Sequence, residues 1–394
     1  MTATHLPGDE AFFGEWLARG STGRRDLERS RALATALGHD PTAGTERRAI
    51  VVGSKGKGSA VAAMARTLDA AGAAVGTVTS PPFRSNRERL RLGGTSITPS
   101  AYATLAAEVA AAVDRLPAPT AGYLSPSGAY LVAGDHALGR TADVVVLEEG
   151  LGGRSDEISL FSAELVVVTP VFEEHVGTIG TSVAEIAEDL LAVVDDATRL
   201  VVTAPQRPEV EELIRSRADD VGAEVRVVAE PRPDLATSLN AISAGVGAAA
   251  GTALAARLGL SAPPVTGPLV LPGRDSVHVR RGTTWVVDAP VDPAGVAAAR
   301  AAAEARLGPP ALTLACFPDR KPVEECYAAL EGLEVWPVVI PDSYLGFRRT
   351  PSPHRLDAAL LEDAGRAGSV LCVGTVSFVA EVLEHLDVDC DRWW

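Results

Sequence analysis

Residues Ile50-Val-Val-Gly-Ser-Lys-Gly-Lys-Gly-Ser59 decide the fold. A β-branched run enters a turn that carries Gly53, Gly56 and Gly58, and a segment of good helix propensity, Ala60 to Ala71, follows. Strand, glycine turn and helix in that order gather backbone N–H groups and the positive end of a helix around one point, which suits a phosphate. Lys57 is the side chain this pattern places on the outer phosphates. The spacing departs from GxxxxGK[ST], because Gly58 separates Lys57 from Ser59. The other reading is a plain glycine turn, and the strand before it and the helix after it argue against that.

Outward from this stretch, short β-branched runs alternate with Ala-rich segments of helical period, the rhythm of a parallel α/β sheet. It predicts strands at Ile50 to Val52, Val75 to Thr79, Val144 to Glu148, Leu165 to Thr169, Leu200 to Thr203 and Val225 to Val228. Pro and Gly concentrate in PPVTGPLVLPG, Pro263 to Gly273, as in an interdomain connection. The rhythm restarts beyond it, with strands at Trp285 to Asp288, Leu312 to Cys316, Val335 to Ile340 and Val370 to Val373. The expected architecture is therefore α/β, with a P-loop parallel-sheet domain over residues 1–270 and a smaller Rossmann-like domain over 271–394.

A chain of 394 residues has room for two or three domains. Its 46% hydrophobic and 22% charged residues are ordinary for a folded protein in water. The formal net charge of −15 argues against nucleic acid or an anionic membrane as the main partner. Lys55, Lys57 and Lys321 are the only lysines among 36 basic residues, so chemistry that needs a lysine amine has few candidates. Cys316, Cys326, Cys372 and Cys390 lack CxxC spacing, which points to neither a disulfide framework nor a zinc knuckle and fits buried reduced thiols. The N-terminal residues carry no secretory pattern, so a cytoplasmic location is expected. The charge-free stretch Asn240 to Ala256 is short and rich in Gly and Ala, and it reads as a buried helix and not a membrane span.

Two further segments carry chemistry. In Val144-Val-Val-Leu-Glu-Glu-Gly-Leu-Gly-Gly-Arg-Ser-Asp156 a buried strand ends in Glu148, at the sheet edge where α/β proteins bind ligands, and a carboxylate beside phosphates can hold Mg²⁺. In Leu165-Val-Val-Val-Thr-Pro-Val-Phe-Glu-Glu-His175 the strand is followed by a lone His. A lone His is usually structural, and only its company with the other two segments makes His175 a candidate metal ligand.

Together these segments resemble the folylpolyglutamate synthase branch of the Mur ligase superfamily, ATP-dependent enzymes that join a carboxylate to an amine. Ile50 to Ser59 resembles that family's GTNGKGS loop, and Thr79-Ser-Pro-Pro-Phe83 with Arg87-Glu-Arg-Leu-Arg91 resembles its SPH…NERIR segment. Glu148 to Asp156 resembles ExGLGGRxD, and His175 to Ile186 resembles HxxxLGxTxxxIA. Leu239-Asn-Ala241, Pro272-Gly-Arg274 and Asp288 resemble the NA motif, the PGR linker and the start of DGAHNP. The resemblance implies ATP and Mg²⁺ as cofactors. Gly56, Lys57, Gly58 and Ser59 would hold phosphates, and Ser80, Glu148 and His175 the metal. Asn240 would face the adenine, Arg274 would reach the phosphates, and Asp288 would approach the ribose. Lys57, Glu148, His175 and Arg274 are the implied catalytic set. Small-molecule carboxylate and amine substrates are the implied partners.

Departures from the pattern shape the expected substrate. Pro82 replaces the His of SPH, and Gly122-Tyr-Leu-Ser-Pro-Ser-Gly-Ala129 lacks the Phe-Glu pair of TYFExxTA. Asp288-Ala-Pro-Val-Asp-Pro293 lacks the His and Asn of DGAHNP, and Leu190 stands where the family has the lysine that becomes a carbamate. A weaker resemblance, through Ile186 to Leu191 and Cys372-Val-Gly-Thr375, is to the ligase subunit of poly-γ-glutamate synthetases, which leaves room for a partner subunit. The resulting expectation is an amide ligase of specialised biosynthesis that does not act on folate and carries no lysine carbamate. The alternatives are a true folylpolyglutamate synthase and a nucleotide-binding pseudoenzyme or regulatory subunit.

Overall fold

The computed structural model describes residues 6–19, 24–119, 122–174, 176–232, 240–267, 269, 271–341, 343 and 345–394. These fall into two compact units. The larger takes the described residues of His5–Pro81, Arg87–Leu269 and Trp393–Trp394, and the smaller those of Pro82–Asn86 and Val270–Arg392.

The larger unit is built on an eight-stranded sheet in the order Glu224–Val227, Leu200–Thr203, Leu165–Val168, Arg48–Val52, Val144–Glu148, Val75–Val78, Leu90–Leu92 and Thr95–Ser96. Neighbours are parallel up to Val75–Val78, and the last two strands run antiparallel. Every residue of Arg48–Val52, Val144–Glu148 and Leu165–Val168 is buried, because helices cover both faces. This is why the central strands read as unbroken apolar runs. The antiparallel hairpin escaped the sequence reading because its strands are three and two residues long, too short for a period to register.

Helix Lys57–Ala70 lies on this sheet beside helix Ala241–Arg257. The latter is the charge-free stretch, and its Gly and Ala content has a steric cause: a Cβ at Gly247 would stand 2.1 Å from the carbonyl oxygen of Ala60. The stretch that follows also joins this unit. Arg66 Nη1 donates to the Gly267 carbonyl at 3.0 Å, and Arg232 Nη2 to that of Val265 at 2.6 Å. On the antiparallel hairpin the Trp393 amide donates to the Gly94 carbonyl at 3.1 Å, and the Arg91 guanidinium lies 4.6 Å from the Trp393 ring centre. Trp394 Nε1 donates to Asp69 Oδ2 at 3.2 Å.

One buried charge cluster ties the start of the sheet to helix Pro126–Leu138. Arg48 donates to both oxygens of Asp135, at 3.2 and 2.7 Å, and to the carbonyls of Pro41 and Ser162. His39 Nε2 lies 2.8 Å from Asp135 Oδ2. Burial works to raise the Asp135 pKa, but His39 and Arg48 outweigh it and hold the carboxyl below its ordinary value.

The smaller unit has six strands in the order Ser276–Arg280, Thr283–Asp288, Ser369–Gly374, Leu312–Cys316, Val335–Val339 and His354–Arg355, all parallel except the first. Alternate residues serve opposite faces. Val286, Ala315, Leu371 and Val373 share a core with Val296 and Ala299 of helix Pro293–Leu307, whereas Val287, Leu314, Cys316 and Cys372 share one with Phe378 and Val382 of helix Val376–His385. Asp387, just past that helix, has φ 54°. The four cysteines are buried and unbridged. Among the described residues, no helix is long and apolar enough to cross a membrane.

Gly247→Ala should therefore cost about 1–3 kcal/mol, the usual scale of overpacking, read as a lower melting temperature. Asp135→Asn should cost about 3–5 kcal/mol by stranding buried Arg48. The Asp135 contribution is complete above the ordinary carboxyl value of 3.8 and is lost as pH falls below it. Melts across the acid range should thus show a shallower decline for the variant than for the parent chain.

Candidate functional site

The buried strand Arg48–Val52 delivers the chain to the glycine turn at the C-terminal edge of the sheet. Gly56 sits at φ 83° immediately before helix Lys57–Ala70, and a Cβ there would come within 2.1 Å of Ser243 Oγ. A side chain at 56 would therefore force the turn away from helix Ala241–Arg257. The N-cap residue, Gly56, has no side chain with which to cap helix Lys57–Ala70, whose first-turn amides lie at the turn. Ser59 in that turn is buried, and Asn240, just ahead of the neighbouring helix, brings Oδ1 to 3.7 Å from the Cβ position at Gly56.

Lys57 folds back into the turn. Its Nζ donates to the Gly53 carbonyl at 2.7 Å and lies 3.3 Å from Glu149 Oε2. Burial works against the charged amine, but Glu149, Glu148 and Glu174 outweigh it, so the lysine pKa is raised and the ammonium persists.

Glu148 ends the strand between the one leading to Lys57 and the one leading to Ser80. The Ser80 amide donates to its Oε2 at 3.0 Å, and its Oε1 lies 3.6 Å from where a Cβ would sit on Gly58. Ser80 Oγ accepts from Arg89 Nη1 at 3.0 Å. The sheet order thus brings Gly56, Lys57, Gly58, Ser59, Ser80, Glu148 and Asn240 to one edge. His175 lies outside the described residues. Arg274 and Asp288 belong to the smaller unit, where burial raises the Asp288 pKa and Arg274 opposes that rise. The Arg274 guanidinium lies 5.4 Å from the ring centre of Phe83, in the same unit.

Two carboxylates of this region were missed by the sequence reading. Glu149 is 3% exposed, takes the Gly152 amide at 2.6 Å on Oε1, and has its pKa pushed up to about 7 by burial, against the pull of Lys57. Its signal was present as a second acid directly after Glu148. Asp189 accepts from the Gly153 amide and from Ser155 Oγ, both at 2.7 Å, and so holds the GLGGR turn. Only its distance of 36 residues from that turn hid it. The adjacent Leu190, in the position of the family's lysine, is 2% exposed and packed in the main core. Asp156, at the end of the same motif, accepts from the Leu151 amide at 3.0 Å and pairs with Arg25 at 2.7 Å. Ser125 caps helix Pro126–Leu138 and donates to Glu157 Oε1 at 2.5 Å.

A strand, a glycine turn carrying Lys57 and a strand-terminal Glu148 meet at one edge of a parallel α/β sheet, the fold shared with solved Mur ligase-like proteins. Within that class the similarity is to the folylpolyglutamate synthase branch, as the motifs implied. The chain is 30% identical over 198 residues to the dihydrofolate synthase/folylpolyglutamate synthase of Bacillus subtilis, across 49% of this chain and 45% of that one. It thus spans about half the length of the curated relatives it matches. It is also similar to the apo form of L. casei FPGS, with TM-score 0.77 and 20% identity over 95% of this chain and 99% of that chain. An FPGS–AMPPCP–folate complex gives TM-score 0.74 at 20% identity over the same shares. At such identity the solved structures define the fold. No family model matches the chain.

These relatives overturn the expectation of a ligase that does not act on folate, since the proteins this chain resembles are named as folylpolyglutamate and dihydrofolate synthases. That expectation gave too much weight to Pro82 and Gly122–Ala129. Residues 122–125 form a two-residue strand and the lead-in to a helix, and Pro82 lies in a five-residue segment, so both departures leave the sheet and the P-loop unaltered.

Asp189→Ala should leave the Gly153 amide and the Ser155 hydroxyl without their acceptor. Hydrogen exchange at Gly153 should quicken, with a loss of about 1–3 kcal/mol in stability. An unchanged exchange rate there would remove Asp189 from this role.

Proposed function

We propose that the chain is an ATP-dependent, ADP-forming carboxylate–amine ligase of the folylpolyglutamate and dihydrofolate synthase type. Its substrates are a pteroate- or folate-class carboxylic acid and glutamate. The observation that carries this reading is the juxtaposition of Lys57 in a glycine turn with Glu148 and Ser80 on adjoining strand ends. The larger unit is then the ATP-binding part, and the smaller unit the remainder of the ligase. Four buried free thiols fit a reducing compartment, and we place the reaction in the cytoplasm.

The chemistry balances in two steps. A carboxylate oxygen of the acid attacks the γ-phosphorus, the bond to the β–γ bridging oxygen breaks, and ADP leaves an acyl phosphate. The amine nitrogen then attacks the acyl carbon, inorganic phosphate departs, and the nitrogen loses a proton. Lys57, kept charged by the surrounding carboxylates, and the first-turn amides of helix Lys57–Ala70 oppose the negative charge that builds on the transferring group. The Glu148 carboxylate and Ser80 hydroxyl are hard oxygen donors of the kind Mg²⁺ takes, and they are the residues that would hold it. When bound, Mg²⁺ supplies charge neutralisation of the phosphates.

The test is ADP release by the purified chain with Mg·ATP, glutamate and either dihydropteroate or tetrahydrofolate, with the amide product identified by mass. Absence of turnover with both acids, in a protein that binds nucleotide, would defeat the substrate assignment. Lys57→Ala should keep the fold but abolish stabilisation by ATP, which for the parent chain at a hundredfold excess over Kd is about 2.7 kcal/mol. Undiminished stabilisation of that variant would refute the phosphate assignment.

A further inference from the structure

Two consecutive carboxylates, Glu148 and Glu149, stand at the end of the central strand Val144–Glu148. Glu148 turns to the Ser80 amide, whereas Glu149 turns to Lys57. The Glu149 side chain is fixed at one oxygen, where Oε1 takes the Gly152 amide at 2.6 Å, and it is almost fully buried. Its other oxygen, Oε2, makes no hydrogen bond among the described residues and faces Lys57 Nζ at 3.3 Å. The pair is therefore an ion pair whose carboxylate oxygen has no other partner among the described residues. Lys57 has a second anchor, the Gly53 carbonyl at 2.7 Å, that does not depend on Glu149.

We propose that Glu149 is a resident competitor of phosphate, a built-in anion that occupies the Lys57 ammonium until a nucleotide polyphosphate draws it away. This inference rests on the nucleotide reading of the loop and adds a residue that sets the affinity of that site. Glu148, Glu149 and Glu174 all bring negative charge to one ammonium, so an incoming phosphate meets repulsion as well as attraction. A ligand must carry enough charge to displace Glu149, and a triphosphate does so better than a diphosphate or orthophosphate. The carboxylate thereby weakens retention of ADP after turnover. Removing its charge frees Lys57 for phosphate while the Gly53 carbonyl keeps the amine in the loop.

The experiment is calorimetric titration of the full chain at pH 8, where the Glu149 carboxyl is charged, with Mg·AMPPCP and with Mg·ADP, for the parent and for Glu149→Gln, with folding checked by circular dichroism. Glu149→Gln should bind both nucleotides about tenfold more tightly, the scale of one charge-assisted contact, with the larger gain for ADP. Glu149→Met, which fills the same buried space without a charge, should change affinity in the same direction and serves if the amide variant does not fold. Glu148→Gln should instead weaken Mg·AMPPCP binding. A merely structural Glu149 would give variants that bind more weakly, and weaker or unchanged affinity in the folded Glu149 variants overturns the proposal. A parent chain that binds neither nucleotide overturns the nucleotide reading itself, and the proposal with it.

Discussion

The seating of helix Ala241–Arg257 against helix Lys57–Ala70 is the constraint on which the nucleotide edge depends. At position 247 the backbone of one helix faces the Ala60 carbonyl of the other with no space for a methyl group, and at Gly56 the same helix pair leaves no space for a Cβ beside Ser243. The turn therefore cannot drift from the helix that begins after Asn240, and the first-turn amides cannot rotate away from the sheet edge. Chain conformation and site geometry are fixed by the same few absent side chains. Backbone approach of this kind is cooperative, because loosening one end of the helix pair loosens the other.

Charge imposes the second layer. The sheet order brings Glu148 between the strands that deliver Lys57 and Ser80, and the adjacent Glu149 returns toward the lysine. An ammonium beside several carboxylates holds its proton firmly, which suits a group that meets phosphate and does not suit it for amine chemistry. In a chain with three lysines, this placement gives Lys57 one role. The GLGGR turn beside it is held from a distance by Asp189, a side chain that contributes geometry and no chemistry of its own.

What the sequence disclosed was what has a period or a local pattern. Buried parallel strands such as Val144–Glu148 are continuous apolar runs and were legible, as was the helix Ala241–Arg257 from its lack of charge. The pairs Arg24–Arg25 with Gly122–Tyr123, and Leu90–Leu92 with Thr95–Ser96, were not, since strands of two or three residues carry no alternation. At the site, Lys57 and Glu148 were legible because strand, turn and helix are contiguous. Asp189 and the direction of Glu149 were hidden, one by distance along the chain and the other because a run of two acids does not say which way each will face. The acceptor was misread because loop residues such as Pro82 vary without disturbing the framework that similarity reports.

Trp393 and Trp394 dock on the hairpin of the larger unit, although Val270–Arg392, nearly all of the smaller one, lies between them and the rest of that unit in the chain. On a ribosome most of the larger unit is made before the smaller one, and Trp393 and Trp394 follow it. Arg91 meets no indole, and Asp69 has no Trp394 donor, until the whole smaller unit has been synthesised. Until then the hairpin lacks the hydrogen bond from Trp393 to Gly94 and the Arg91 guanidinium lacks its ring. The order of synthesis and the order of completion run in opposite directions in this chain, and the two indoles are natural fluorescent reporters of the moment when they meet.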